Sequence, residues 1–577
     1  MDDLIIRGGT IVDGTGAPSR TGDIAITDGR ITSASGKAGA AKHEIDADGL
    51  LVTPGWVDIH THFDGQATWD PYITPSSWHG VTTAVMGNCG VGFAPARPDK
   101  HDWLIGLMEG VEDIPGTALS EGIEWAWESF PEYLTALEKL DRVVDIGTQV
   151  PHGAVRAYVM GERGAKNEPA NADDIARMAV IVKEAIAAGA LGFSTSRTIV
   201  HRAIDGEPVP GTFAAEDELM GIGAALGELG KGVFELAPAG AAGEDIAAPE
   251  KEIVWMRKLA AATGRPVSFA LIQHDMDPKQ YRRMLDLCQV AAGEGANVVP
   301  QVAGRPTSML MGWQCTAHPF IENPTYKAIA DLPFEERLAR LRDPAVRQRM
   351  LTEEVQFSQP LVGFIASSFH KLYPLGDPPD YEPTADQSVT AIATREGRPP
   401  KEVAYDLLMQ RGGKELLYFP LFNYSDGNLD STREMLMHPR AALGLSDGGA
   451  HCGVICDAST PTYMLTHWVR DRSRGERLPL EWVVKRQTRD TAELYGLGDR
   501  GVLAKGMRAD LNLIDFDNLQ LAPPEVAYDL PAGARRLLQR ARGYKATIVH
   551  GVQTWADGEA TGRFPGRVLR GERPRPA

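Results

Sequence analysis

The chain has 577 residues, of which 43% are hydrophobic and 24% are charged, and its formal net charge is -18. These proportions are ordinary for soluble globular proteins and exclude the disordered and fibrous classes. The acidic balance argues against partners such as nucleic acid or an anionic membrane, because binding to either requires a basic surface.

The N-terminal residues MDDLIIRGGTIVDG lack the features of a secretory signal, because two aspartates stand where such a signal carries lysine or arginine. No segment approaches the roughly 18 apolar residues of a membrane helix. The five cysteines are few and odd in number, which is typical of a reducing compartment. We therefore expect a soluble cytoplasmic protein.

Residues 1–54 contain short Val-, Ile- and Thr-rich runs separated by Gly and Asp, and residues 490–577 have the same texture. Both segments predict strands and turns. Because chain ends commonly lie near each other at the surface, we expect one small sheet domain built from both termini.

Residues 55–489 alternate short apolar runs with amphipathic helical segments, as expected of strand–helix units around a parallel sheet. The candidate strands lie in GWVDIHTH, GVTTAVMGNCG, VVDIGTQVPHG, GALGFSTS, KGVFELAP, PVSFALIQ, GANVVPQVAG and AALGLSDGG. Eight such strands predict an α/β fold of the (β/α)₈ TIM-like barrel type, for which about 250 residues is typical. The excess length predicts insertions near 97–135 and 320–440, which we expect to cover the barrel mouth.

His60 and His62 stand two residues apart at the end of the first candidate strand. Residues i and i+2 of a strand project from the same face, so the two imidazoles can converge on one cation. An isolated pair of this kind is more often satisfied by ordinary hydrogen bonds. Its position favours the metal interpretation, because catalytic residues of a barrel lie at the carboxyl ends of strands.

Two further candidates follow other strands. Cys89 lies between glycines in GNCG, and its thiolate suits zinc, although a buried cysteine is more often inert packing. Asp447 precedes a Gly-Gly pair in GLSDGGAH, where an aspartate is usually a turn residue. Together with the histidines, however, these residues would converge on one rim of the barrel.

This combination resembles the amidohydrolase superfamily. The segments PGWVDIHTHFD, GNCG, GALGFSTS, SDGG, KGMRADLNLIDFD and TGRFPGRVLR resemble its N-acyl-D-amino-acid deacylase (D-aminoacylase) branch. The resemblance covers nearly the whole chain and implies that the two β-rich ends form a small β-sandwich beside the barrel. It favours the branch with a cysteine ligand over the hydantoinase-like one, because the segment GFSTS offers no lysine for carbamylation.

The resemblance implies a zinc-dependent hydrolase with one or two Zn²⁺ ions. His60, His62, Cys89 and Asp447 would bind the metal, which polarises an amide carbonyl and activates water. Asp447 would also be the catalytic general base, which passes a proton to the leaving amine. The implied substrate is a small molecule, an N-acylated amino acid or a related amide, and a homo-oligomer stays open.

Two metal histidines of the resembled branch have no counterpart at the expected positions. The fifth strand offers Ala237 and the sixth offers Leu271. His274 follows a few residues later, and a slip of two or three residues would bring it to the rim as a further metal ligand. The site would therefore hold one metal, bound by His60, His62 and Asp447 with Cys89 near it or as a further ligand, or it would bind metal weakly.

Four other residues are candidates for substrate binding. Arg197 and His201 lie in SRTIVHR after the fourth strand, Arg305 follows the seventh, and His451 follows Asp447. A guanidinium can hold a substrate carboxylate through two hydrogen bonds, although a salt bridge to another residue explains an arginine equally well. His451 could orient Asp447 or contact the product.

Three functions stay open at this point. The first is hydrolysis of a carbon–nitrogen amide bond, with deacylation of an N-acyl amino acid as the specific hypothesis. The second keeps the metal and changes the bond to an ester, lactone, carbamate or cyclic amide, because barrel loops can change the chemistry on one frame. The third is a binding or assembly protein that has lost effective metal. Retention of both histidines, the cysteine and the aspartate argues against the third.

Overall fold

A computed structural model describes residues 1–576, with only the backbone of Pro360. Ala577, the last residue of the predicted C-terminal β-rich segment, lies outside the described residues. Of the helices between residues 1 and 576, none combines the length and the apolar character needed to cross a membrane.

Both ends of the chain contribute to one mixed sheet, as the sequence predicts. Its strands are Asp2–Ile11, Arg20–Thr27, Arg30–Ser33, Ala41–Asp46, Leu51–Pro54, Leu511–Ile514, Tyr544–Val549, Val552–Ala556 and Glu559–Ala560. The two halves join where Leu51–Pro54 pairs antiparallel with Leu511–Ile514. Residues from both ends share one apolar core, which includes the fully buried side chains of Ile24, Leu511 and Ile548.

The middle of the chain contains parallel strands, and each predicted strand segment holds one. They are Trp56–Asp58, Val81–Met86, Asp145–Thr148 with its continuation Val150–Pro151, Gly192–Ser196, Val233–Ala237, Val267–Ala270, Val298–Val302 and Ala442–Leu443. Successive strands pair in parallel and in chain order. Near-continuous apolar runs are expected here, because strands covered on both faces are buried throughout.

Two backbone contacts connect the parallel strands beyond these ladders. Gln149 lies between the strand pieces 145–148 and 150–151. Its backbone amide donates a hydrogen bond to the carbonyl of Met86, the last residue of the neighbouring strand Val81–Met86. An isolated parallel bridge joins Thr61, just after the first strand, to Gly448, just after the last. The first and last strands of the series therefore come together at their carboxyl ends, beside the two histidines.

Helices connect the strands and build the two long insertions. The helices are His101–Glu112, Gly116–Gly122, Phe130–Glu138, His152–Met160, Glu162–Ala165, Ala172–Ala188, Glu216–Leu229, Ala248–Thr263, Gln280–Gly293, Pro324–Lys327, Phe334–Leu341, Pro344–Thr352, Pro360–Ser367, Val389–Glu396, Pro400–Leu408, Gln410–Gly413, Asp430–Met437, Thr460–Tyr463, Met464–Asp471, Leu480–Gln487 and Arg489–Leu494. Ser308–Met311, which precedes the second insertion, forms a small antiparallel sheet with Leu417–Pro420 and Tyr373–Pro374 of that insertion, and this sheet packs on its own apolar core.

The amino end of the parallel strands carries a buried ion-pair network. Asp145, the first residue of its strand, accepts hydrogen bonds from Arg500 at 2.8 Å and from Arg508 at 2.9 Å. Arg500 also donates to Thr83 Oγ1, and the Arg567 amide donates to Asp145. Every oxygen of the buried carboxylate is paired, so this network attaches the C-terminal β-rich segment to the parallel strands.

Candidate metal centre

His60 and His62 follow the first parallel strand, and both are almost completely buried. The Nε2 atom of His60 lies 3.4 Å from Asp447 Oδ1 and 3.4 Å from Cys89 Sγ. The Nε2 atom of His62 lies 3.7 Å from the same aspartate oxygen. The structure therefore brings together the four residues that the sequence singles out as metal ligands.

The spacing of these atoms suits a metal ion. One ligand atom each from His60, His62 and Cys89 lies within 4.8 Å of the others. Two ligands of a tetrahedral zinc ion, each about 2.0–2.3 Å from the metal, stand about 3.3–3.7 Å apart. The separations of 3.4 and 3.7 Å given above fall in this range, and the histidine and cysteine ligand atoms lie within 4.8 Å of one another, so the arrangement is compatible with a zinc ion.

Other buried groups orient the two imidazoles. His60 Nδ1 lies 2.9 Å from Gln301 Oε1, and His62 Nδ1 lies 3.3 Å from Glu112 Oε1. Each ring thus has its Nδ1 atom at an oxygen partner and its Nε2 atom at the common centre. Such partners fix the ring orientation and the tautomer of metal-binding histidines.

The backbone is strained at the same place. Cys89, Asp447 and His451 all have positive φ, at 54°, 47° and 50°. Non-glycine residues in this left-handed region cost about 1–3 kcal/mol each and cluster at functional sites. The Cys89 amide donates to Glu235 Oε2 at 2.9 Å, which helps to hold the turn that carries the thiol.

Burial and mutual charge shift the pKa values of the site. Burial lowers the pKa of His60 to about 4. Burial alone would also lower the pKa of His62, but the Glu112 and Asp447 carboxylates outweigh it and raise that pKa to about 9. Burial raises the pKa of Glu235 to about 8 and that of the Cys89 thiol well above its ordinary value. A bound divalent cation would lower the raised pKa values of the Cys89 thiol and the Glu235 carboxyl, because it stabilises their ionised forms.

Asp447 behaves differently from the other acids. Burial would raise its pKa, but the neighbouring imidazoles of His62 and His60 hold that pKa well below the ordinary value. The carboxylate is therefore ionised at neutral pH. Its side chain is 14% exposed, so the rim is open to solvent at this point.

His274 does not join the cluster. Its Nε2 atom lies 2.9 Å from Gln280 Oε1, and its Nδ1 atom accepts a hydrogen bond from the Asp277 amide. Both ring nitrogens therefore hold the turn before the helix Gln280–Gly293. Ala237 and Leu271, where the resemblance places histidines, are buried apolar residues.

Both candidate arginines are paired with acidic residues inside the protein. Arg197 donates to Glu252 Oε2 at 2.7 Å and to the Ala214 carbonyl at 2.9 Å. Arg305 is buried, donates to Asp457 Oδ1 at 2.9 Å and stacks over the Tyr381 ring. Both guanidiniums serve as internal ion-pair partners, which is the alternative that the sequence leaves open for an arginine.

His201 and His451 lie beside the metal cluster. His201 Nδ1 is 2.9 Å from Ser196 Oγ, and burial, followed by the charge of nearby imidazoles, lowers the pKa of His201 to about 3. His451 Nε2 lies 3.6 Å from Glu112 Oε2. Both rings therefore stand at the edge of the site, with His201 neutral.

Two glutamates of the site are absent from the sequence-based candidates. Glu235 is an acidic residue in an otherwise apolar strand, VFELA, and that contrast is a usable signal for a buried functional carboxylate. Glu112 ends the helix His101–Glu112 of the first insertion. Nothing in its local sequence distinguishes it from a solvent-exposed helical acid.

Comparison with known proteins agrees with this geometry. The chain is 26% identical to the D-aminoacylase of Alcaligenes xylosoxydans xylosoxydans, over 98% of this chain and 97% of that protein. A crystal structure of D-aminoacylase covers 99% of this chain and 100% of its own, at 22% identity and a TM-score of 0.66. N-acyl-D-glutamate deacylase from Bordetella bronchiseptica, solved with zinc and a phosphonate inhibitor, covers 98% and 99% at 23% identity and a TM-score of 0.64.

The fold is accordingly the mixed α/β fold of D-aminoacylase with its β-rich domain, and the resemblance to the D-aminoacylase branch is confirmed. The profile of the amidohydrolase family matches residues 43–559, which is most of the chain. The match includes the parallel strands, both insertions and much of the terminal sheet. This chain therefore belongs to the amidohydrolase family.

Proposed function

We propose that this chain is a zinc-dependent hydrolase that removes the acyl group from an N-acylated amino acid. The observation that carries the proposal is the convergence of His60 Nε2, His62 Nε2, Cys89 Sγ and Asp447 Oδ1 on one buried point. Two nitrogens, a sulfur and an oxygen form a donor set that zinc accepts. The family membership and the activities for which the relatives are named support the reaction class.

The charges of the site also fit a cation. Glu235 Oε1 is buried without a hydrogen-bond partner, which is costly unless a charge compensates it. A bound zinc ion would polarise the scissile carbonyl and lower the pKa of water. One or two ions are compatible with this donor set, and the chain's own residues supply the remaining steps.

Asp447 acts as the general base. Its ionised carboxylate accepts the proton of the attacking water and passes it to the nitrogen of the leaving amine. Gln301 and Glu112 keep the His60 and His62 rings in place through their Nδ1 atoms. In the tautomer with the proton on Nε2, neutral His201 donates to a substrate oxygen while Ser196 holds its Nδ1 atom. His451, at the outer edge, contacts the departing product.

The substrate class rests on the relatives. D-aminoacylase and N-acyl-D-glutamate deacylase are named for the removal of acyl groups from D-amino acids. We extend that class to this chain as a small N-acylated amino acid.

A second candidate function has one observation in its favour. Arg197 and Arg305 are both engaged in internal ion pairs, which neutralise the two guanidiniums proposed for a substrate carboxylate. A substrate without a free carboxylate, such as a cyclic amide, lactone, ester or carbamate, would not need one. Such a substrate would use the same metal ligands and the same base.

We also propose the finer architecture that the sequence predicts. The parallel strands form a (β/α)₈ barrel spanning 55–489, and the terminal segments 1–54 and 490–577 form a β-sandwich. The chain-order parallel pairing and the Thr61–Gly448 bridge support the barrel, and the terminal sheet with its separate core supports the second domain. We retain the cytoplasm as the proposed location.

The test measures metal and reaction together. Purified protein is analysed for metal by mass spectrometry, and release of amine is followed for N-acetyl derivatives of D- and L-amino acids. Cyclic amides, lactones and esters are assayed in parallel. We expect about one or two zinc ions per chain and hydrolysis of at least one N-acyl amino acid.

The matched controls are His60→Ala and His274→Ala. His60→Ala removes a ligand and should abolish metal binding and activity, whereas His274→Ala changes a buried histidine outside the cluster and should leave metal content unchanged. Activity that survives His60→Ala would overturn the mechanism. Hydrolysis of lactones or cyclic amides without any deacylation would select the second candidate.

A further inference from the structure

We propose that Glu235 is a direct ligand of this metal centre through its carboxylate, an inference that rests on the proposed function. Glu235 lies in the strand Val233–Ala237 and has no solvent exposure. The residue that follows it on the same strand face is Ala237, which cannot bind a metal. Glu235 is therefore the residue of this strand whose side chain can bind a metal ion.

Among the described side chains at the level of Glu235 in the sheet, only the glutamate keeps an oxygen without a hydrogen-bond partner. Glu235 stands level with Ser194 on one neighbouring strand and with Ser268 on the other. Ser194 Oγ bonds to the Gly87 carbonyl and the Gly90 amide, and Ser268 Oγ donates to the Val299 carbonyl. Across this layer of side chains, the two serines are satisfied and Glu235 keeps an oxygen without a partner.

The two oxygens of Glu235 have different surroundings. Oε2 accepts the Cys89 amide at 2.9 Å, which fixes the carboxylate beside the thiol. Oε1 lies 3.8 Å from His60 Nδ1 and makes no hydrogen bond. The carboxylate thus touches the backbone of one proposed ligand and faces the ring of another.

Neither a hydrogen bond from His60 nor protonation of the carboxylate would satisfy the buried Oε1 atom of Glu235. His60 Nδ1 is already engaged by Gln301 Oε1 at 2.9 Å, so its proton is not available to Glu235. A protonated Oε1 would need an acceptor, and the described residues provide none within hydrogen-bond distance. A buried carboxylate with neither a proton acceptor nor a donor costs several kcal/mol. A cation held jointly with Cys89 removes this cost.

Glu112 provides a natural contrast. It is also buried, but its oxygens lie 3.3 Å from His62 Nδ1 and 3.6 Å from His451 Nε2. Glu112 is the group beside the far nitrogen of His62 and so orients that ring. Glu235 Oε1 also faces a far nitrogen, that of His60, but Gln301 already engages this nitrogen, so Glu235 is not the group that orients His60. The site therefore contains two buried glutamates, with Glu235 as a ligand and Glu112 as a positioning residue.

The test compares Glu235→Gln with Glu112→Gln in the full-length protein. Each substitution keeps the side-chain size, and in Glu235→Gln the amide oxygen of the new side chain can still accept the Cys89 hydrogen bond. Zinc affinity is measured by competition with a chelator, and the metal is replaced by Co²⁺ for absorption spectroscopy. Circular dichroism checks that both variants fold.

For Glu235→Gln we expect a loss of zinc affinity of more than about 100-fold and a change in the Co²⁺ d–d bands. For Glu112→Gln we expect a weaker loss of about 10–100-fold with unchanged d–d bands, which is the effect of an orienting group. Unchanged d–d bands in Glu235→Gln, at any affinity, would overturn the assignment.

The outcomes separate this inference from the proposed function. If the unaltered protein binds no metal, the proposed function fails and Glu235 has no ligand role. If it binds metal and hydrolyses amides while Glu235→Gln keeps the parent spectrum, only the inference fails. If Glu235→Gln changes the spectrum but no substrate is cleaved, the ligand assignment stands and the reaction class fails.

Discussion

Both ends of the parallel strands contain buried charged residues, but these residues differ in how far their polar atoms are hydrogen-bonded. At the amino end, Asp145 is buried and each of its oxygens is paired with Arg500 or Arg508. At the carboxyl end, Glu235 is equally buried, and it keeps a carboxylate oxygen without a hydrogen bond. Burial alone therefore does not distinguish structural charges from functional ones.

The two ends differ in what satisfies their buried polar atoms. Protein groups complete the amino-end network, which suits a role in joining the terminal sheet to the strands. The carboxyl-end cluster is left for a ligand to complete, and in barrels that end carries the chemistry. Substitutions at the first end should change stability, and substitutions at the second should change metal binding and catalysis.

The largest effect should come from Asp447→Asn. The variant keeps the shape of the side chain but loses the group that accepts a proton, so we expect kcat/KM to fall by about 10²–10⁴-fold. The unfolding midpoint should change little. Steady-state kinetics on the best substrate, with a thermal melt, checks both. A variant that melts far below the parent protein would place Asp447 with the structural charges and break the comparison.

At the opposite end, Arg500→Leu should change stability. The substitution leaves the buried Asp145 short of a partner, and breaking a buried pair in this way costs about 3–5 kcal/mol. Denaturant unfolding measures the cost, and Asp145→Asn with Arg500→Leu is the double variant that tests the coupling. Zinc content per folded chain should be unchanged, because the network lies at the amino end; a loss of zinc would join the two ends functionally.

A third buried carboxylate, Glu382, should make part of the stability depend on pH. It accepts hydrogen bonds from Arg472 and the Leu429 amide and lies 2.9 Å from His467 Nε2. Burial opposes ionisation, but the His467 and Arg472 contacts outweigh it and lower the pKa of Glu382 from 4.5 to about 2.

Because the folded-state pKa is depressed, this contribution is fully present above about pH 4.5 and disappears as the pH falls toward 2. Its size is about 3 kcal/mol. Urea unfolding between pH 6 and pH 2.5 measures it, with Glu382→Gln as the variant that should lose this part of the slope. Parallel pH profiles for the two proteins would contradict the assignment.

The smallest effect should come from Arg197→Ala. Arg197 is paired with Glu252 at a largely buried site, where the side chains are 13% and 9% exposed, so we expect a loss of about 1–3 kcal/mol in stability. The value of kcat/KM should fall by less than about tenfold, and by the same factor for carboxylate substrates and their amides. A selective loss for the carboxylates would return Arg197 to the substrate site.

Much of the architecture was predictable from local patterns. All eight parallel strands fall inside the predicted segments, most of which are apolar runs, because strands covered on both faces are usually apolar. Gly192–Ser196 is an exception, since its serines and threonine are fully buried. The terminal sheet was predictable from Val-, Ile- and Thr-rich runs at both ends. The strand bounds were not, since the last parallel strand shrinks to Ala442–Leu443.

The site was predictable only where position along a strand decides it. His60, His62, Cys89 and Asp447 each follow a strand end, and strand ends converge by topology. The partners of Arg197 and Arg305 were not predictable, because Glu252 and Asp457 are distant in sequence and only the packed loops bring them near. Glu112 enters from an insertion, whose placement no local pattern encodes.

The pairing of Leu51–Pro54 with Leu511–Ile514 has a consequence for synthesis on the ribosome. The N-terminal strands emerge first, yet their edge stays open until nearly all of the chain has been translated. Open strand edges on nascent chains invite association with other chains. A nascent chain of this protein therefore depends on protection of that edge, by chaperones or by rapid folding of the middle segment, for most of its translation.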